Sequence, residues 1–193
     1  MNAEELAKEV SQGLVDMDLM NAIGESRLAL QRLPYEIKPQ QQMILTQAEM
    51  SKLYSDKSVG LVPDLSPDDQ YKIFEWSFYK KIFPYLWQFL SSGVIPQDIN
   101  FFDCDKRAFM FCCLISYLYH GNGQGKNQGT VTYNGISTLH AWVIITALDS
   151  NGVKQLYLVD PYLGAYMDTP ITNASNMDIN QTHYVSSAVV RFI

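Results

Sequence analysis

Cysteine, histidine and charge are all scarce in this chain, and each scarcity narrows what it can be. Three cysteines in 193 residues, with Cys112 and Cys113 adjacent, make no disulfide framework and suit a reducing compartment. With only three histidines and no CxxC or HxxxH spacing, a zinc site is not expected, and neither is a cofactor or any other metal. Charged residues are 18% of the chain and sum to a formal −6, with no basic block, so nucleic acid is not an expected partner. The longest apolar stretch, around Ala141 to Leu148, is far shorter than the roughly 18 residues of a membrane helix. Met1 to Val10 lacks the apolar run of a cleavable signal peptide. The expected location is the cytoplasm or another reducing compartment, and signal-less export as an effector would leave the same sequence.

What is present is core-forming material: 47% hydrophobic residues and 12% aromatics, enough for one filled domain. Spacing predicts a helical first half. Met1 to Ile23 carries Leu6, Val10, Leu14, Met17 and Met20 on one face. Glu25 to Leu33 continues until Pro34, and Gln40 to Tyr54 is a third helix. Ser66 and Pro67 are a start signal for a helix to Ile82, which Pro84 should end or kink. The aromatics from Tyr71 to Phe89 read as core rather than as a ligand box. Gly121 to Gly129 reads as a mobile glycine-rich loop; no Lys-Ser/Thr follows it, so it is not a phosphate cradle. Beyond it the period changes. Thr130 to Tyr133, Leu139 to Leu148, Gln155 to Asp160 and Tyr184 to Phe192 are expected strands. Together these predict an α+β fold: an N-terminal helical region over residues 1–65, with surface for a protein partner, and a core over 66–193.

The chemistry concentrates at three residues. From Phe102 to Tyr119, positions 104, 108, 111, 112, 115 and 119 share one helix face, and Asp103 is a plausible N-cap. Cys104 then sits in the first turn, where the helix dipole favours a thiolate and backbone N–H groups could receive an oxyanion. Asp103 and Asp105 oppose that ionisation, so an imidazolium is needed nearby. Cys112 and Cys113 lie too deep in the helix to ionise and read as core. His120 reads as a C-terminal cap and His183 has no visible partner. His140 opens a strand that is apolar on both faces, hence central in a sheet. A histidine there could be a satisfied core residue, but the following strand ends in Asp160-Pro161. With a Ser150-Asn151-Gly152 hairpin loop, Asp160 falls opposite Trp142 and diagonal to His140 on the same face, about 7–8 Å apart at the backbone. A two-residue Asn-Gly loop would put them on opposite faces.

Asp103-Cys104-Asp105 with Ala108, His140-Ala141-Trp142-Val143 and Leu158-Val159-Asp160-Pro161 resemble the transglutaminase-like superfamily, a branch of the papain-like fold, over about residues 100–165. The Asp-Cys-Asp start is similar to the bacterial transglutaminase-like cysteine proteinases. The resemblance implies a Cys104–His140–Asp160 triad and a thioester intermediate on a protein or peptide substrate. The chain departs from the family pattern at Phe102 and Asp105. Such enzymes complete the oxyanion hole with an upstream side chain, for which Gln97, Asn100 and Trp87 are candidates. The expected activity is hydrolytic: a cysteine protease, amidase or deamidase. The alternatives are transglutaminase-type crosslinking or amine transfer, an arylamine-type acetyltransferase, and an inactive binding module on the same fold.

Overall fold

The computed structural model describes residues 21, 24–59, 69–91, 103–186 and 191–192. The helix expected over Met1 to Ile23 falls almost wholly outside them, as do Ser66 and Pro67. A first helix, α1, covers residues 24–36 and runs past Pro34. It is followed by β1 (Gln42–Thr46), α2 (Gln47–Asp56), β2 (Gln70–Phe74), α3 (Trp76–Ser91) and α4 (Cys104–Tyr119). The strands β3 (Gln124–Tyr133), β4 (Ile136–Leu148), β5 (Lys154–Asp160), β6 (Ala165–Tyr166), β7 (Met177–Ile179), β8 (Thr182–Ser186) and β9 (Arg191–Phe192) complete the α+β architecture.

One antiparallel sheet in the order β6-β5-β4-β3-β8-β7, with β9 also on β3, organises everything else. β4 is central, as its two apolar faces predict. Its odd residues Ala141, Val143, Ile145 and Ala147 pack with α3, α4 and Leu30 and Leu33 of α1. Its even residues Trp142, Ile144 and Leu148 pack with Leu45, Met50 and Tyr54 from β1 and α2. Alternation along a strand with both faces covered requires this split. On the helical side, Trp76 stacks on Tyr157 at 4.1 Å between centroids, and α3 buries Phe78, Tyr79, Ile82, Phe83, Leu86 and Leu90 along one stripe.

Four local expectations need correction. Gln40 to Tyr54 is not one helix. Thr46 caps α2 in a reciprocal box, its Oγ1 accepting from Glu49 N (3.3 Å) while Thr46 N donates to Glu49 Oε2 (2.9 Å), so the residues before it are free to pair as β1. The Tyr71–Phe74 part of the helix expected to Ile82 is strand β2, and α3 starts only at Trp76. Pro84 neither ends nor interrupts α3; it lies on the exposed face, where water can take the carbonyl that its missing N–H leaves unbonded. The glycine-rich stretch is strand from Gln124 onward, because its polar side chains are used internally. Gln124 Nε2 donates to Cys112 O (3.3 Å), Ser116 Oγ (2.7 Å) and Gly121 O (2.9 Å), tying β3 to α4.

The joint between the two sheets is Asn122-Gly123. The Asn122 side chain imitates a strand, accepting from Lys72 N (2.6 Å) and donating to Gln70 O (2.9 Å). Gly123 accepts from Thr146 N at 2.7 Å, and a Cβ there would collide with the buried Ile73 side chain. Gly123→Ala is therefore expected to cost about 1–3 kcal/mol, read as a lower urea midpoint at unchanged m-value.

Candidate active site

α4 presents Cys104 at its tip because the sequence places an extended residue before an apolar helical stripe. Asp103 is the N-cap (φ −82°, ψ −170°), as expected, but its side chain makes no capping bond and pairs instead with Lys106 at 3.4 Å. Ala108, Phe111, Cys112, Ile115 and Tyr119 are buried below it, leaving Cys104 half-buried at the rim. The second flanking carboxylate, Asp105, accepts from Lys126 Nζ at 3.2 Å. Both aspartates that oppose a thiolate thus carry an ammonium partner. Lys126 in this role escaped sequence reasoning, since only the packing of β3 against α4 brings it to Asp105.

The β4–β5 hairpin has the register of the three-residue loop, with Val143 opposite Val159 and Leu148 opposite Lys154. Gly152 takes the left-handed conformation (φ +75°), and Asp149 Oδ1 accepts from Asn151 N (2.8 Å) and Val153 N (2.9 Å) to close the turn. Continued by one residue, that register sets Asp160 opposite Trp142, on the face of His140, and His140 Nε2 lies 2.7 Å from Asp160 Oδ2. Asp160 is wholly buried. Its Oδ1 accepts from Tyr162 N (2.9 Å) and Leu163 N (3.0 Å), and its Oδ2 also accepts from the Tyr184 hydroxyl (2.8 Å). Tyr184, on β8, had no sequence signal beyond being a tyrosine in a strand. The order β5-β4-β3-β8 brings it within reach.

With Nε2 committed to the carboxylate, Nδ1 is the nitrogen left for Cys104, which lines the same hollow as the imidazole. Burial pushes the Cys104 thiol up, but the His140 hydrogen bond, the Ala141 N–H and the imidazolium charge together bring it below the ordinary thiol value. Burial likewise pushes His140 down, and the hydrogen bonds to Asp160 and Cys104 outweigh it, raising the imidazole to about 9. The thiol is made easier to ionise and the imidazole harder to deprotonate, and both shifts favour a thiolate–imidazolium pair. Cys112 and Cys113 are both pushed up by burial. Of the three thiols, only Cys104 is activated.

His120 closes α4 in a left-handed conformation (φ 54°), its N–H donating to Ser116 O at 2.9 Å. His183 has a partner after all, Asp178 Oδ1 at 2.9 Å across β7–β8. Neither joins the site. Trp87 lies on the helical side, against Phe83 and Tyr166, its buried Nε1 without a partner among the described residues. Gln97 and Asn100 lie outside the described residues. A hollow of about 270 Å³ opens over Cys104, walled by Gln128, Gly129, Leu139, His140 and Ala141. Among the described residues, no group of three or more His, Cys, Asp and Glu side chains could hold a metal ion, and no helix is long and apolar enough to cross a membrane. The chain matches no family model, no curated protein and no solved structure.

Two outcomes are expected from this geometry. Iodoacetamide should label Cys104 at pH 6 at least tenfold faster than a model thiol, because a lowered pKa leaves more thiolate there. Asp160→Asn removes the charge that raises His140, the imidazole then loses its proton at lower pH, and the pH 6 advantage should disappear. Separately, Tyr184→Phe deletes one donor to a buried carboxylate and should lower unfolding stability by about 1.5–3 kcal/mol in urea titrations.

Proposed function

We propose that the protein is a thiol acyl-transfer enzyme of the transglutaminase-like, papain-like type, acting hydrolytically on peptide or carboxamide bonds. The observation that carries this reading is the wholly buried Asp160 holding His140 Nε2 at 2.7 Å, which leaves Nδ1 for a cysteine at a helix N-terminus. A structural histidine needs neither a buried carboxylate nor a half-exposed thiolate on its other side. The order of the three residues along helix, strand and following strand accords with the resemblance read in the sequence.

In the proposed reaction, the Cys104 thiolate adds to the carbonyl carbon and the carbonyl oxygen becomes an oxyanion. In this reading the backbone N–H groups at the first turn of α4 stabilise that oxyanion. The C–N bond then breaks as the imidazolium Nδ1–H protonates the leaving nitrogen, giving a thioester and a neutral imidazole. Water attacks the thioester, and His140 takes its proton. The C–S bond breaks, releasing the carboxylic acid and restoring the thiolate–imidazolium pair. Asp160 keeps the ring oriented and stabilises its cation throughout. Water is favoured as acceptor because it needs no second binding site.

Incubation with a proteome-derived peptide mixture is expected to release ammonia or generate new peptide ends, and Cys104→Ala should do neither. The rate should rise as Cys104 deprotonates and fall above about pH 9, where His140 loses the proton that it delivers. Cys104-dependent uptake of a fluorescent primary amine into glutamine-bearing proteins, in preference to hydrolysis, would move the assignment to crosslinking. A Cys104 no more reactive than a model thiol would leave an inert binding module.

A further inference from the structure

His140 is a shared wall between two hollows. One is the small cleft over Cys104. The other, about 550 Å³, lies beyond the imidazole and is lined by Val131, Tyr133, Tyr162, Leu163, Ala165 and Ile179, together with the uncharged polar Thr138, Asn180, Gln181 and Thr182. Among the described residues no Asp, Glu, Lys or Arg lines it. A basic side chain entering it would lose hydration with no counter-ion in return, and an acidic one would find only the His140 imidazolium, already paired with Asp160, whereas an apolar one would gain by leaving water. Around both openings, Tyr133, Ile136, Leu139, Tyr162 and Leu163 form an unusual gathering of exposed large apolar residues, Leu139 being 81% exposed. Tyr162 is held in place: its ring meets the imidazole edge-on at 5.7 Å, Arg107 lies over it at 5.4 Å, and its N–H is bonded to Asp160.

Resting on the thiol acyl-transfer reading, we propose that this second hollow receives an apolar side chain on the leaving-group side of a peptide bond, making the protein an endopeptidase selective for a large apolar residue immediately after the bond it cuts. The direction follows from the chemistry. The C–N bond breaks when Nδ1–H of His140 protonates the leaving nitrogen, so that nitrogen must sit on the imidazole's side of the sulfur. The residue carrying that nitrogen therefore continues past His140, toward the hollow that His140 borders. Thioester formation and hydrolysis then proceed as above, with the amine product departing from the apolar hollow.

The test is digestion of a proteome-derived peptide library with blocked amines, with the new N-terminal residues identified by mass spectrometry. Wild type should enrich Leu, Met, Phe or Tyr at the new N-termini about tenfold over Asp, Glu and Lys. Leu163→Ser, at an exposed position, and Ala165→Phe, which narrows the hollow, should each reduce that ratio several-fold. Cys104-dependent cleavage without apolar enrichment, or with enrichment untouched by both variants, overturns this inference and leaves the acyl-transfer reading standing. Cys104-dependent ammonia release with no new N-termini does the same. No Cys104-dependent chemistry of any kind overturns both.

Discussion

The carboxylate of Asp160 is the constraint around which the rest of the site is arranged. A charge taken out of water at this depth is tolerated only when its lone pairs are filled, and losing a partner of a buried charged pair typically costs about 3–5 kcal/mol. Here the two oxygens receive four hydrogen bonds, from His140, the Tyr162 and Leu163 backbone, and Tyr184. These donors come from β4, from the turn after β5 and from β8. One buried group therefore cross-links the centre of the sheet to its far side and sets the orientation of an imidazole.

From that point the electrostatics runs outward in sequence. Asp160 favours the imidazolium, and the imidazolium favours the Cys104 thiolate. The two acidic residues beside Cys104 work in the opposite direction, Asp103 raising the thiol by its charge. Each is paired with an ammonium, Asp103 with Lys106 and Asp105 with Lys126, which keeps the first turn of α4 polar. Exposed pairs of this kind contribute little to stability.

The site also depends on a meeting of two faces. Cys104 belongs to the helical side, packed against the cluster that holds Ala141 and Val143. His140 belongs by alternation to the side of Trp142 and Tyr184. The two meet at the rim of the sheet. Ala141, which follows His140 and lines the hollow over Cys104, has no bulk to keep the helix tip away, and Gly129 lies opposite His140 on β3. Ala141 and Gly129 are small residues at the one place where the helix and the neighbouring strand must come close to the imidazole.

By itself, the amino-acid order determined the features that arise from short-range chemistry. Asp103 before an apolar stripe starts α4 under Cys104, the Gly152 turn sets the hairpin register, and a strand apolar on both faces is central. Those signals lie within a few residues of the structure they specify. Only tertiary packing decided that Tyr71 to Phe74 would be a strand, since its partners are β1 and the Asn122 side chain. The same holds for the glycine-rich stretch, whose buried Gln124 serves the carbonyls of α4, and for Tyr184 and Lys126, which reach the site across the sheet. Such residues are chosen by partners distant in the chain, and a distant partner leaves no local periodicity to read.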